Sequence, residues 1–332
     1  MMDQAEKLRK IAGKAGVKDI VSKLKEKTTK KNDSLKFKGS KEAIKDVPKS
    51  ESVEKKKAKI LTVSSGKGGV GKTNFTINLA LSLMKEGFRV VILDADFGLA
   101  NIEVALGATP KFTLLDVLEN RKNILEVIQN APNNVRFISG GSGITKLSKV
   151  SREDLDVFTK NMGLLDSFFD VVLVDTGAGI SDNVLNFILA ADDVFLITTP
   201  EPTSITDAYA LLKLIAGSKY EKEINLVINR TRGELEGIKV FHNLLDVTQK
   251  FLGIKIKLLG HLDADIEVER AVKTQTPFII SAPKAKVSRQ IKEMAKKIIE
   301  KDLKEGKEET FVGARSFFDS FIKKFRGDED GV

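Results

Sequence analysis

Ile60-Leu61-Thr62-Val63-Ser64-Ser65-Gly66-Lys67-Gly68-Gly69-Val70-Gly71-Lys72-Thr73-Asn74 is the stretch on which the fold turns. Its first four residues form an apolar run that predicts a buried strand. Residues 66–73 fit G-x-x-x-x-G-K-[ST], and residues 73–86 carry helical periodicity. Strand, glycine-rich loop and helix in that order are the context in which this pattern binds phosphate. The glycines let backbone N–H groups converge on an anion, and the helix N-terminus adds its dipole. The expected phosphate-binding set is Gly66, Lys67, Gly68, Gly69, Val70, Gly71, Lys72, Thr73 and Asn74. Lys72 is expected to reach the β- and γ-phosphates and the Thr73 hydroxyl to bind Mg²⁺.

Outward from this loop, apolar runs at 89–93, 135–138, 170–174, 194–198, 224–228 and 257–262 read as further strands. Helical patterns at 182–189, 203–216, 235–251 and 284–303 fall between or after them, and Gly87 sits where a C-terminal cap belongs. Buried strands alternating with amphipathic helices predict an α/β fold, a mostly parallel twisted sheet with helices on both faces. The expected divisions are 1–58, 59–303 and 304–332: a flexible basic extension, the nucleotide-binding domain, and a linker with an amphipathic helix.

Composition narrows the chemistry. There is no Cys among 332 residues, so disulfides, Cys-ligated clusters and a Cys nucleophile are excluded. Residues 1–58 carry 18 Lys+Arg against 9 Asp+Glu, the whole of the chain's net +9. The domain that follows is neutral overall, which argues against nucleic acid as a partner. No secretory signal and no run of about 20 apolar residues is present, so a cytoplasmic location is expected.

Two carboxylate sites complete the nucleotide motif. Asp94 and Asp96 follow the second strand, where side chains face the crevice at the carboxyl ends of a parallel sheet. Asp175 closes the run Val171-Val172-Leu173-Val174, the form of a Mg²⁺-holding Asp. With Lys67, the loop reads Lys67-Gly68-Gly69-Val70-Gly71-Lys72-Thr73 and resembles the deviant Walker A family of MinD and ParA ATPases. The resemblance implies ATP and Mg²⁺ as cofactors and a homodimer formed with ATP. It implies that Lys67 reaches the partner's nucleotide, that Asp96 orients the attacking water, and that Lys67, Lys72 and Asp96 are catalytic. It implies that Thr73, Asp94 and Asp175 serve Mg²⁺, and that Asp96, Asn101, Asp175 and Gly179 belong to switch regions. It sets Asn229, Arg230, Pro200 and Glu201 near adenine and ribose. For Asn229 a turn cap is the alternative, and for the Asp94–Asp96 pair helix caps are.

At about 100° per residue, Phe317, Phe318, Phe321, Ile322 and Phe325 share an arc of about 140°, with Lys323 and Lys324 opposite. That is the pattern of an interfacial helix on an anionic membrane, and it resembles the tail of MinD-type proteins. A last helix packed on the domain is the alternative. Upstream, Asp3-Gln4-Ala5-Glu6-Lys7-Leu8-Arg9 resembles the start of the FlhG (YlxH/FleN) family of flagellar-number regulators. In that family Asp3, Gln4, Ala5, Leu8 and Arg9 would activate the GTPase FlhF, and flagellar switch-complex proteins are further partners. The reading is a slow, partner-stimulated ATPase that cycles between the cytoplasm and the inner face of the membrane. A septum-site MinD, a ParA-type DNA-partition ATPase and an ATP-binding scaffold are the alternatives.

Overall fold

In a computed structural model of the chain, residues 57–96, 101–141, 150–218, 220–300 and 311–326 are described. They lie in the second of two units, Glu54–Val332. The motif of Asp3, Gln4, Ala5, Leu8 and Arg9 falls outside them, as does most of the linker before the last helix. Through the nucleotide loop and its carboxylates the order is β1 (Lys59–Ser65), α1 (Lys72–Lys85), β2 (Val90–Ala95) and α2 (Asn101–Leu106). Next come α3 (Leu114–Leu118), α4 (Ile124–Val127), β3 (Gln129–Asn130), β4 (Arg136–Ser139), α5 (Arg152–Met162) and α6 (Leu165–Phe168). The central part holds β5 (Val171–Ala178), α7 (Asp182–Ala190), β6 (Asp193–Thr198), α8 (Pro202–Gly217), β7 (Ile224–Thr231) and α9 (Glu234–Phe251). The chain continues with β8 (Ile256–Asp263), α10 (Ile266–Lys273), α11 (Phe278–Ser281), α12 (Lys286–Ile298) and α13 (Gly313–Arg326).

The strands form one eight-stranded sheet in the order β3-β4-β2-β5-β1-β6-β7-β8. All neighbours are parallel except β3 and β4. Alternation along each strand divides the core in two. Ile60, Val91, Leu93, Val172 and Val174 point to the side of α5, α7, α8 and α9. Leu61, Val63, Val90, Ile92 and Leu173 point to the side of α1, α11 and α12. Such double burial is why these strands read as continuous apolar runs. Gly87, at φ +96°, ends α1 as expected: its N–H donates to Met84 and that of Phe88 to Leu83.

The last helix departs from the expectation of a detachable tail. α13 is docked on the sheet's α7 side, with Phe317, Phe318, Phe321 and Ile322 all buried. Phe321 stacks on Phe187 of α7 at 4.0 Å between ring centroids, and Phe318 meets Phe158 of α5 edge-on at 5.8 Å. Two carboxylates pin its approach. Asp192 accepts from the N–H of Val312 and of Ile60, each at 2.8 Å. Asp166 accepts from Ala314 at 2.8 Å and from Ala58 at 3.0 Å. The face read as lipid-facing is thus covered by protein, while Phe325 and Lys324 are half-buried and Lys323 is exposed. A periodic apolar stripe reports that a face is covered and not by what. No helix among the described residues is long and apolar enough to cross a membrane.

Candidate nucleotide site

The site lies at the carboxyl ends of β1, β2 and β5, where sheet register sets the chemistry. Asp94 of β2 stands directly beside Asp175 of β5. The loop between β1 and α1 folds over both. Gly71, at φ +96°, turns the chain into α1, and a side chain there would collide with the Asn229 amide. Asn229 donates to the Val70 carbonyl at 2.7 Å, so the end of β7 braces the phosphate loop.

Asp175 is fully buried and gathers three donors. Lys72 Nζ donates to Oδ1 at 2.9 Å, Thr73 Oγ1 to Oδ2 at 2.7 Å, and Thr76 Oγ1 to Oδ1 at 3.2 Å. An ammonium has three N–H donors, so Lys72 can hold Asp175 and still offer hydrogens to phosphate. The oxygen-only donors Thr73, Asp94 and Asp175 suit Mg²⁺, a hard cation that keeps several waters and takes its remaining ligands from phosphate.

Asp94 is buried and accepts from Ile102 N–H and Asp96 N–H, each at 3.1 Å. Burial pushes its carboxyl up to about 7; the charge of Asp175 adds to the push, and the two N–H groups and Lys72 oppose it. An acid whose folded-state pKa exceeds its unfolded 3.8 holds its proton longer when native. The stability it gives is therefore lost as pH rises from about 4 to about 7. In the nucleotide-free protein, Asp94→Asn is expected to flatten the fall in melting temperature across that window; parallel curves for variant and wild type would contradict the assignment.

Asp96, just past the end of β2, lines the crevice. Asn101, at the N-terminus of α2, donates to its Oδ2 at 2.9 Å. The signature Lys67 is half-exposed and held within the chain. Its Nζ donates to Thr203 Oγ1 at 2.6 Å and to Glu201 Oε2 at 3.2 Å. Glu201 therefore meets Lys67, and neither it nor Pro200 lines the second pocket beside the loop. That pocket, of about 380 Å³, is walled by Asn229, Arg230, Ala264, Val268, Glu269 and Val272. It opens beside the phosphate crevice of about 540 Å³, which is lined by Gly68, Gly69, Gly71–Asn74, Asp96 and Asn101. Gly179, at φ +99°, ends the Asp175 segment ahead of α7. Sequence patterns missed Thr76, Thr203 and the bracing of the loop by Asn229, since each depends on tertiary contact.

A family model described as "ParA: NUBPL iron-transfer P-loop NTPase" matches residues 56–299. The chain is 40% identical over 245 residues to the antiactivator FleN of Pseudomonas aeruginosa, covering 72% of this chain and 85% of that one. It is 34% identical over 278 residues to the flagellum site-determining protein YlxH of Helicobacter pylori, covering 83% and 94%. The cell division ATPase MinD of Pyrococcus furiosus superposes with a TM-score of 0.59 at 26% identity, covering 73% of this chain and 99% of that one.

Proposed function

This chain belongs to the MinD/ParA family of deviant P-loop ATPases, in its FlhG (YlxH/FleN) branch, and we propose that it is an ATP-driven dimerising switch that regulates flagellar number or placement. The observation that carries the switch is the position of Lys67. It sits beside a complete phosphate loop yet is spent on Glu201 and Thr203 of its own chain. A half-exposed pair of this kind contributes only about 0–1 kcal/mol. A triphosphate presented by a second copy outbids it, so ATP draws Lys67 across an interface. The flagellar part rests on the similarity to FleN and YlxH.

ATP lies with its phosphates in the loop, its γ-phosphoryl near Asp96 and its base beside Asn229 and Arg230. When bound, Mg²⁺ offsets phosphate charge, held through Thr73, Asp94 and Asp175. Asn101 fixes the Asp96 carboxylate, which orients a water. The water oxygen bonds to the γ-phosphorus as the bond from that phosphorus to the β–γ bridging oxygen breaks, and the proton the water loses passes to an oxygen of the released phosphate, giving ADP and phosphate. Lys72 and the partner's Lys67 stabilise the charge that develops. A site completed only by dimerisation turns over slowly and invites stimulation by a partner.

The docked α13 links this cycle to a membrane. α7, on which Phe317 and Phe321 pack, follows the Asp175–Gly179 segment directly. Exposing Phe317, Phe318, Phe321 and Ile322 to water costs roughly 6–12 kcal/mol in sum. Free release into solvent is thereby ruled out, and the helix leaves only by exchange for lipid, which takes up the same apolar area. Two tails on one dimer make that exchange favourable. Residues 59–303 act as the ATPase domain, 304–332 as the tail, and 1–58 as the extension whose Asp3–Arg9 motif engages FlhF. Deleting the gene and counting flagella by electron microscopy tests the reading. A changed number or position with normal septa supports it; normal flagella with minicells contradicts it. Vesicles containing anionic lipid should retain the protein with ATP and not with ADP.

A further inference from the structure

α10 ends in a hydrogen-bond pattern that usually requires glycine. The N–H of Gln275 donates to Val272 at 3.2 Å and that of Thr276 to Ala271 at 3.0 Å, the paired bonds of a Schellman ending. The left-handed position is held by Gln275, at φ +50°. A non-glycine residue there is strained, and strain that persists points to a use for the side chain. The use is visible: Nε2 of Gln275 donates to the Val104 carbonyl at 2.6 Å. Val104 lies in the last turn of α2, and its carbonyl, which also accepts from the Gly107 N–H at 3.3 Å, takes its shorter bond from Gln275.

α2 is a short rod clamped at both ends. Gln275 holds its C-terminal end. At its N-terminal end Asn101 holds the Asp96 carboxylate, and Ile102 N–H donates to Asp94. α10 in turn walls the base-side pocket through Val268, Glu269 and Val272. A side-chain bond thus joins the element that a base would touch to the helix whose Asn101 holds Asp96.

We propose that Gln275 is a positioning residue for hydrolysis, coupling occupancy of the base pocket to the alignment of Asp96 through α2. The proposal rests on the reading of Asp96 given above. A base packed against α10 fixes Gln275, Gln275 fixes the last turn of α2, and Asn101 carries that register to Asp96. Misplacement by about 1 Å at a reacting centre costs up to about 100-fold in rate, so one tie can govern turnover.

The test uses the full chain and two substrates, ATP and inorganic tripolyphosphate, which has the phosphates without a base. Gln275→Gly accepts the left-handed backbone and removes the tie; because Gln275 also borders the phosphate crevice, tripolyphosphate reports any effect of losing that lining. The variant is expected to keep the melting temperature, the affinity for a non-hydrolysable ATP analogue and the dimer formed with it. ATP turnover should fall about 10- to 100-fold, toward that of tripolyphosphate, whose own turnover stays unchanged. Gln275→Lys restores a donor of sufficient length and should recover much of the loss. Undiminished ATP turnover in Gln275→Gly, or an equal fall for both substrates, overturns the proposal. Asp96→Ala runs alongside: turnover that survives it overturns the reading of Asp96, and the coupling with it.

Discussion

Asp96→Ala is expected to lower ATP turnover by about 100-fold, the scale of losing the alignment of an attacking group, while ATP still binds and still dimerises the protein. The separation follows from position. Asp96 is tied to Asn101 at the mouth of the crevice and takes no part in the buried cluster on Asp175. Its loss therefore leaves the phosphate loop intact. Steady-state phosphate release, measured beside affinity for a non-hydrolysable analogue, checks the claim. Turnover within about threefold of wild type would remove Asp96 from the mechanism.

Lys72→Ala is expected to damage both fold and function. Lys72 and Asp175 are a buried pair at 2.9 Å, with side chains 7% and 0% exposed. Removing one partner of such a pair costs about 3–5 kcal/mol, because the other charge stays buried without compensation. The same change deletes the cation that serves the phosphates, which lowers ATP affinity by about 10- to 100-fold. A second variant separates the effects. Lys72→Ala/Asp175→Asn removes the orphaned charge, so its denaturant midpoint should move back toward wild type while turnover stays lost. A double variant as unstable as the single one would mean that the pair's charge is not what the fold depends on.

The site was largely legible because its determinants are local in sequence. Gly66–Thr73 needs one strand and one helix beside it, and Asp94 and Asp175 announce themselves as carboxylates ending apolar runs. Register then sets the two side by side, as parallel neighbours must be. The docking of α13 was not legible. Its five apolar positions fit lipid and protein equally, and the partners that decide, Phe158 and Phe187, lie more than 100 residues upstream in other helices. Short elements escaped for a different reason. α4, α6 and α11 have four residues each, barely one turn, too few for a period to register. The turn between β3 and β4 is built on Asn133 and Asn134, both at positive φ, with the Ala131 N–H donating to Val135. Asn tolerates that backbone, yet an Asn pair alone does not announce a hairpin. Gln275 was hidden by the same logic, since a cap that expects glycine gives no signal when glutamine fills it.

The most direct test of the central claim is the molar mass of the Asp96→Ala protein by light scattering, with Mg²⁺ and either ATP or ADP. The account predicts twice the 36.5 kDa monomer mass with ATP and the monomer with ADP, and a return to monomer with ATP when Lys67→Ala is added. Equal masses with both nucleotides, or an ATP dimer that persists without Lys67, would contradict it.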